Sequence, residues 1–128
     1  MSDFKKLDVW HKAHSLALEV HSTAQGIRGS SYVSLRSQLI RSAMSVPANI
    51  VEGREQASEK DFARFLRYSI ASASELEYHL LVGRDMRLIT YERFDTLIER
   101  LEQVRRMLRG LLAAVERRHH DPSSTTTA

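Results

Sequence analysis

The chain has 128 residues, 42% of them hydrophobic, which is enough for one domain with a core and too few for two. It contains no cysteine, so disulfides, thiol catalysis and cysteine-based zinc sites are excluded. The net charge is +3 and fifteen of the nineteen basic residues are Arg, the side chain suited to bidentate phosphate and carboxylate contacts.

The N-terminal stretch "MSDFKKLDVW" has no long apolar core, and no run approaches the roughly 20 apolar residues of a membrane span. A cytoplasmic location and no membrane partner are the expectation. The first predicted helix runs from about Asp8 to Ala24, with Asp3 or Asp8 placed to cap or charge its first turn. Val9, Ala13, Leu16 and Val20 form one apolar row, widened by Trp10, Ala17 and Ala24. "QGIRGSSY" follows as a loop, and the second helix is predicted to start near Ser31 or Ser34.

That second helix carries the stripe Leu35, Leu39, Ala43, Val46 and Ile50, with Ile40, Met44 and Val51 alongside. Being apolar on more than one side, it is predicted to be the most buried of the helices. Pro47 interrupts it, having no N–H for the carbonyl of Ala43 and a ring that crowds the preceding turn. Either the helix stops near Ser45 and restarts, or it continues through a kink. Ile50 and Val51 keep the upstream register, which favours the kink, with Gly53 as the C-terminal stop. Asn49 and Glu52, with Ser45, are expected near the interior, satisfying backbone groups freed by Pro47 or pairing with Arg or Tyr from another helix. A polar pocket or interface is the functional counterpart of that reading.

Helix three has a clear start: Ser58 precedes Asp61 by three residues, an approximate capping box, and Phe62, Phe65 and Leu66 follow. Its stripe continues through Ser69, Ala73, Leu76 and Leu80 to Gly83, and the small residues of "SIASAS" permit close approach by a neighbouring backbone. Thr90 is placed to cap helix four, whose apolar stripe runs from Phe94 to Val115. The tail over 119–128 is almost wholly polar and is predicted to be disordered. With short connections and no period-2 alternation, the expected fold is all-α: an antiparallel up-and-down four-helix bundle with a proline-kinked second helix, over residues 1–118.

Chemistry is harder to find. His11, His14 and His21 lie on helix one without matching carboxylates, and the sole Glu-x-x-His motif, Glu116 to His119, falls near the chain end. Surface histidines explain these better than a metal site. Glu75 and His79 are one turn apart, an ordinary helix-surface pair with no nucleophile or oxyanion donor beside them. No phosphate-binding glycine loop is present, so no enzyme activity, metal or cofactor is predicted. For nucleic acid, the candidate contacts are Arg84, Arg87, Arg100, Arg105 and Arg109; Arg105 and Arg109 lack an obvious carboxylate partner, while Glu102 sits one turn before Arg106. A plain solvated face remains the other reading of these arginines.

Three stretches, "FKKLDVWHKA" (4–13), "LRSQLIRSAMSVPANIVEG" (35–53) and "SASELEYHL" (72–80), give the chain a resemblance to the four helix bundle protein family linked to intervening sequences in bacterial 23S rRNA genes. "SVPANIVEG" is its most specific part, and the match covers about residues 4 to 112. Two features depart from the pattern: "QGIRGSSYVS" lacks a proline-containing approach to helix two, and Ala73 stands where a larger apolar residue is usual. The resemblance implies a ring-like homopentamer and kinship with the accessory variability protein of diversity-generating retroelements, a basic pentamer that works with nucleic acid. The expectation is therefore a non-enzymatic oligomeric scaffold binding RNA or DNA through its backbone. The alternative is a protein–protein adaptor with no nucleic-acid role.

Overall fold

In a computed structural model, which describes residues 3–120, four helices follow one another: α1 (Asp8–Gln25), α2 (Val33–Arg54), α3 (Glu59–Asp85) and α4 (Tyr91–His120). Short 3-10 turns at Phe4–Lys6 and Ser30–Tyr32 precede α1 and α2, and no strand occurs among the described residues. The helices form an antiparallel up-and-down bundle. Contact is most extensive between α2 and α3 and least extensive between α1 and α4. The α1–α2 and α3–α4 connections lie at the same end, where Arg93 Nε of α4 donates to Thr23 Oγ1 of α1 over 2.9 Å.

Local signals set the starts of α3 and α4. Ser58 Oγ accepts from the backbone N–H of Asp61 at 3.1 Å and Thr90 Oγ1 from that of Arg93 at 3.1 Å, each satisfying an orphan donor of a first turn. Asp3 caps the first 3-10 turn through Lys5 N–H, leaving α1 to begin after Leu7 with no side-chain cap. Neither Ser31 nor Ser34 caps α2; Tyr32 holds that position without a side-chain bond. Arg36 fixes the entry instead, donating to the carbonyls of Ile27 at 2.7 Å and Gly29 at 2.9 Å. The expected tail over 119–128 begins inside α4, since His119 and His120 are helical; positions 121–128 lie outside the described residues.

Pro47 sits inside one unbroken helix rather than at a restart. Gly53 is not the stop. The helix passes through it to Arg54, because the glycine is needed for proximity and not for a turn. It is buried against α3, and an added Cβ would stand 2.8 Å from Phe62 Cδ1. α2 is also less enclosed than its two apolar rows suggest. Leu39, Ala43, Val46 and Ile50 are buried, whereas Met44, in the second row, is 56% exposed.

The core joins Val20, Leu39, Ile50, Phe62, Leu66, Leu76, Leu97, Leu101 and Leu108, all fully buried. "SIASAS" has the effect expected of small residues. Ser69 and Ala73 are fully buried, and Ser69 Oγ donates to the carbonyl of Val46 across the helix interface at 2.8 Å. Val46 directly precedes Pro47, so α3 provides a polar partner beside the proline. Ser69→Ala is expected to lower stability by about 1 kcal/mol, since it leaves that buried carbonyl without its side-chain donor; urea denaturation measures it, and an unchanged midpoint contradicts the bond's role.

Candidate interaction surfaces

Around Pro47 the polar side chains act mostly within their own helix. Asn49 is half-buried and its Nδ2 donates to the carbonyl of Ser45 at 2.8 Å, while Ser45 Oγ donates to that of Arg41 at 2.9 Å. Glu52 does not join them. Ile50 and Gly53 face the core, which turns position 52 outward, and its side chain is exposed with no ion pair among the described residues. The interior placement expected for Glu52 is therefore corrected. Ser69, three turns into α3, is the interior polar residue at this point.

The five candidate arginines do not form one surface. Arg105 is buried and held between Glu77 of α3 at 2.7 Å and Glu102 at 3.1 Å, so it is unavailable to a phosphate. Glu77 is hidden from a local reading because another helix supplies it, whereas Glu102, three residues before Arg105 on α4, was a partner that local spacing offered and sequence reading missed. Arg100 pairs with Glu19 of α1. Arg84 lies over the Phe94 ring, 4.5 Å from its centroid, and pairs with Asp85 at 3.0 Å. Arg87 is exposed and occupies the α3–α4 turn with φ of 62°, an uncommon conformation outside glycine. Arg109 is exposed with no ion pair among the described residues. Arg106 joins it, since Glu102, its expected partner one turn earlier, is engaged by Arg105.

Glu75 and His79 lie 3.8 Å apart on α3, and Glu75 also receives Arg41 from α2. The hydrogen bond from Arg41 holds the Glu75 carboxyl below the usual carboxylate range. Of the histidines, His11 Nε2 is 2.6 Å from the Lys5 carbonyl and His14 stacks on Trp10, their ring centroids 4.9 Å apart. Among the described residues no group of three or more His, Asp or Glu side chains could hold a metal ion, and no helix is long and apolar enough to cross a membrane.

The feature that sequence reading did not anticipate is a groove of about 410 Å³ between α1 and α2, lined by Trp10, Leu18, Met44, Pro47 and Val51 among others. Past His21 it opens into a second hollow of about 650 Å³ lined by Ile27, Arg28, Val33, Arg36 and Ile40. Among the described residues no carboxylate lines either part. The doubled apolar row of α2 was its signal: Met44 and Val51 of the second row line this groove, and Ile40, which also packs against the core, lines its continuation. A smaller cleft of about 380 Å³ between α1 and α4 is polar, with His11, Lys12, Ser15, Glu19, Arg100 and Gln103 on its walls.

Together these observations define a small all-helical bundle protein whose outward features are an exposed apolar groove and a few exposed arginines with no ion pair among the described residues. Comparison with known proteins places it further. The chain belongs to the 23S rRNA-intervening sequence protein family, whose profile spans residues 5–110. Among solved structures it is similar to a protein of unknown function from the S23 ribosomal protein family of Bacteroides thetaiotaomicron VPI-5482. The two are 23% identical, with a TM-score of 0.76 over 81% of this chain and 97% of that one, a likeness of fold. No curated protein matches.

Proposed function

We propose that this protein is a non-enzymatic homo-oligomeric scaffold that holds RNA or DNA weakly by its phosphate backbone. The observation that carries the reading is the pair Arg106 and Arg109, one turn apart on exposed α4, with no carboxylate partner among the described residues. Arg87 adds a third exposed guanidinium. One copy offers too few phosphate contacts for useful affinity, and a homopentamer, as the resemblance implies, would repeat the set five times. Kinship with a family linked to 23S rRNA genes is consistent with a nucleic-acid partner.

Salt-titrated binding to structured RNA tests it. The logarithm of affinity should fall linearly with the logarithm of salt, and Arg106→Ala with Arg109→Ala should reduce that slope by about 2 per copy engaged. Absence of binding at low salt, or salt-independent binding, removes the proposal. The apolar groove favours a second reading, a protein–protein adaptor with no nucleic-acid role. Association with a single protein partner that survives nuclease treatment would select that one.

A further inference from the structure

Two ion pairs tie α3 to α4 along their outer seam, Arg67 to Glu116 at 3.2 Å and Glu77 to Arg105 at 2.7 Å, and they fix the register of these antiparallel helices. Leu76 and Val104, the residues just before the second pair, are buried in the core. One step along a helix turns a side chain by about 100°, so the residues just after that pair, Tyr78 and Arg106, turn outward at the same height. Both are exposed, Tyr78 to 61%. Arg109 follows Arg106 about one turn along α4. Ser74, one turn before Tyr78 on α3, comes level with it and is small and exposed.

Tyr78 differs from the other exposed tyrosines in what covers its ring. Tyr68 carries the Arg64 guanidinium 5.9 Å from its centroid, and Tyr91 carries that of Arg84 at 5.4 Å. The Tyr78 ring is tilted against its neighbour His79, centroids 5.7 Å apart, and no cation lies over it among the described residues. The carboxylates at this level, Glu77 and Glu102, are both turned onto Arg105, at 2.7 and 3.1 Å. Arg106 and Arg109 have no ion pair among the described residues. An uncovered aromatic ring beside two such guanidiniums is complementary to flat rings strung along phosphates. Paired bases do not offer their faces in this way. Unpaired ones can splay out and stack on an aromatic side chain.

We infer that the α3–α4 face takes single-stranded nucleic acid, an unpaired base stacking on Tyr78 while neighbouring phosphates meet Arg106 and Arg109. This rests on the phosphate-backbone reading proposed above and adds to it the class of strand. Ring and guanidiniums have separate parts in it. The guanidiniums supply charge that any nucleic acid satisfies, and the ring supplies a contact that only an unpaired base can make. Every base has a π-face, so the surface selects the state of the strand and not its sequence.

Fluorescence anisotropy of the full chain with a labelled single-stranded RNA, and with the duplex made from it, tests the class of strand. A 2-aminopurine base placed within the single strand reports stacking. The wild type, Tyr78→Ala, Tyr78→Phe and the double variant Arg106→Ala/Arg109→Ala are compared across a salt series. Each altered side chain is exposed, so circular dichroism should stay helical throughout. The wild type should bind the single strand more tightly than the duplex and quench 2-aminopurine. Tyr78→Ala should weaken single-strand binding roughly tenfold, the scale of one lost base stack, and abolish the quenching. It should leave the salt slope unchanged, because no charge is lost, whereas the arginine double variant lowers that slope. Tyr78→Phe keeps the ring and should keep both affinity and quenching. Salt-dependent binding of both forms that is indifferent to Tyr78→Ala overturns the stacking and leaves the phosphate reading standing. A Tyr78→Phe loss as large as that of Tyr78→Ala does the same, since the hydroxyl and not the ring would then be the contact. Absence of binding to either form at low salt overturns both.

Discussion

Phe62→Ala is expected to cost about 3–5 kcal/mol of stability, the range for deleting a fully buried aromatic side chain. Phe62 is the first core residue after the capped start of α3, and none of it is exposed. Its ring lies against Gly53 of α2 and beneath the Arg54 guanidinium, 5.2 Å from the ring centroid. Truncation opens a cavity where α2 and α3 meet, the most extensive helix contact in the bundle. It also strips Arg54 of its aromatic support. Urea denaturation at equilibrium measures the loss. A change below about 1 kcal/mol would mean that the walls collapse into the space, which the interior packing of a folded core resists.

Gly53→Ala is expected to destabilise too, although general helix propensity argues the opposite. In a helix interior alanine is favoured over glycine by about 1 kcal/mol. Here the new Cβ would lie 2.8 Å from Phe62 Cδ1 and 3.0 Å from Phe65 Cβ. Neither neighbour can yield cheaply, one being a fully buried ring and the other an atom fixed to the α3 backbone. Overpacking of this kind costs about 1–3 kcal/mol, and a net loss of about 1–2 kcal/mol should remain after the propensity gain. Removing the ring removes the nearest clash, so in a Phe62→Ala background the same change should cost less. A double-mutant cycle should therefore show coupling above about 0.5 kcal/mol. Strict additivity would contradict the close approach.

These two residues also show how far the sequence was legible. Helix positions were, because their signals are local: Ser58 and Thr90 cap the helices they precede, and apolar spacing traces the core face of each helix. Gly53 was legible as special and misread in kind. A glycine near a helix end looks the same whether it stops the chain or admits a neighbour, and Phe62, on the next helix, decides. The second apolar row of α2 likewise announces an apolar face without saying what covers it, and the fold leaves it lining a groove. Charge was the least legible quantity. Arg105 looked free and is held by Glu77 of α3 as well as by Glu102, three residues earlier on its own helix; Arg106 looked neutralised and has no ion pair among the described residues. Along one helix a partner can be counted by turns, but between helices it depends on packing that no local pattern encodes. Glu52 failed for a related reason: one position along a helix turns a side chain by about 100°, enough to move it from core to solvent.

The seam between α1 and α4 differs from the others in what closes it. A polar cleft runs along it, and Glu19 bridges it to Arg100 and, at 3.9 Å, to Arg93. The bundle thus has one side fastened by charge, opposite a side fastened by tightly fitted apolar groups. Charge at a surface fades as dissolved ions crowd around it, whereas buried hydrocarbon does not. Breathing of this molecule would accordingly begin where its first and last helices touch, with ionic strength governing how readily they part.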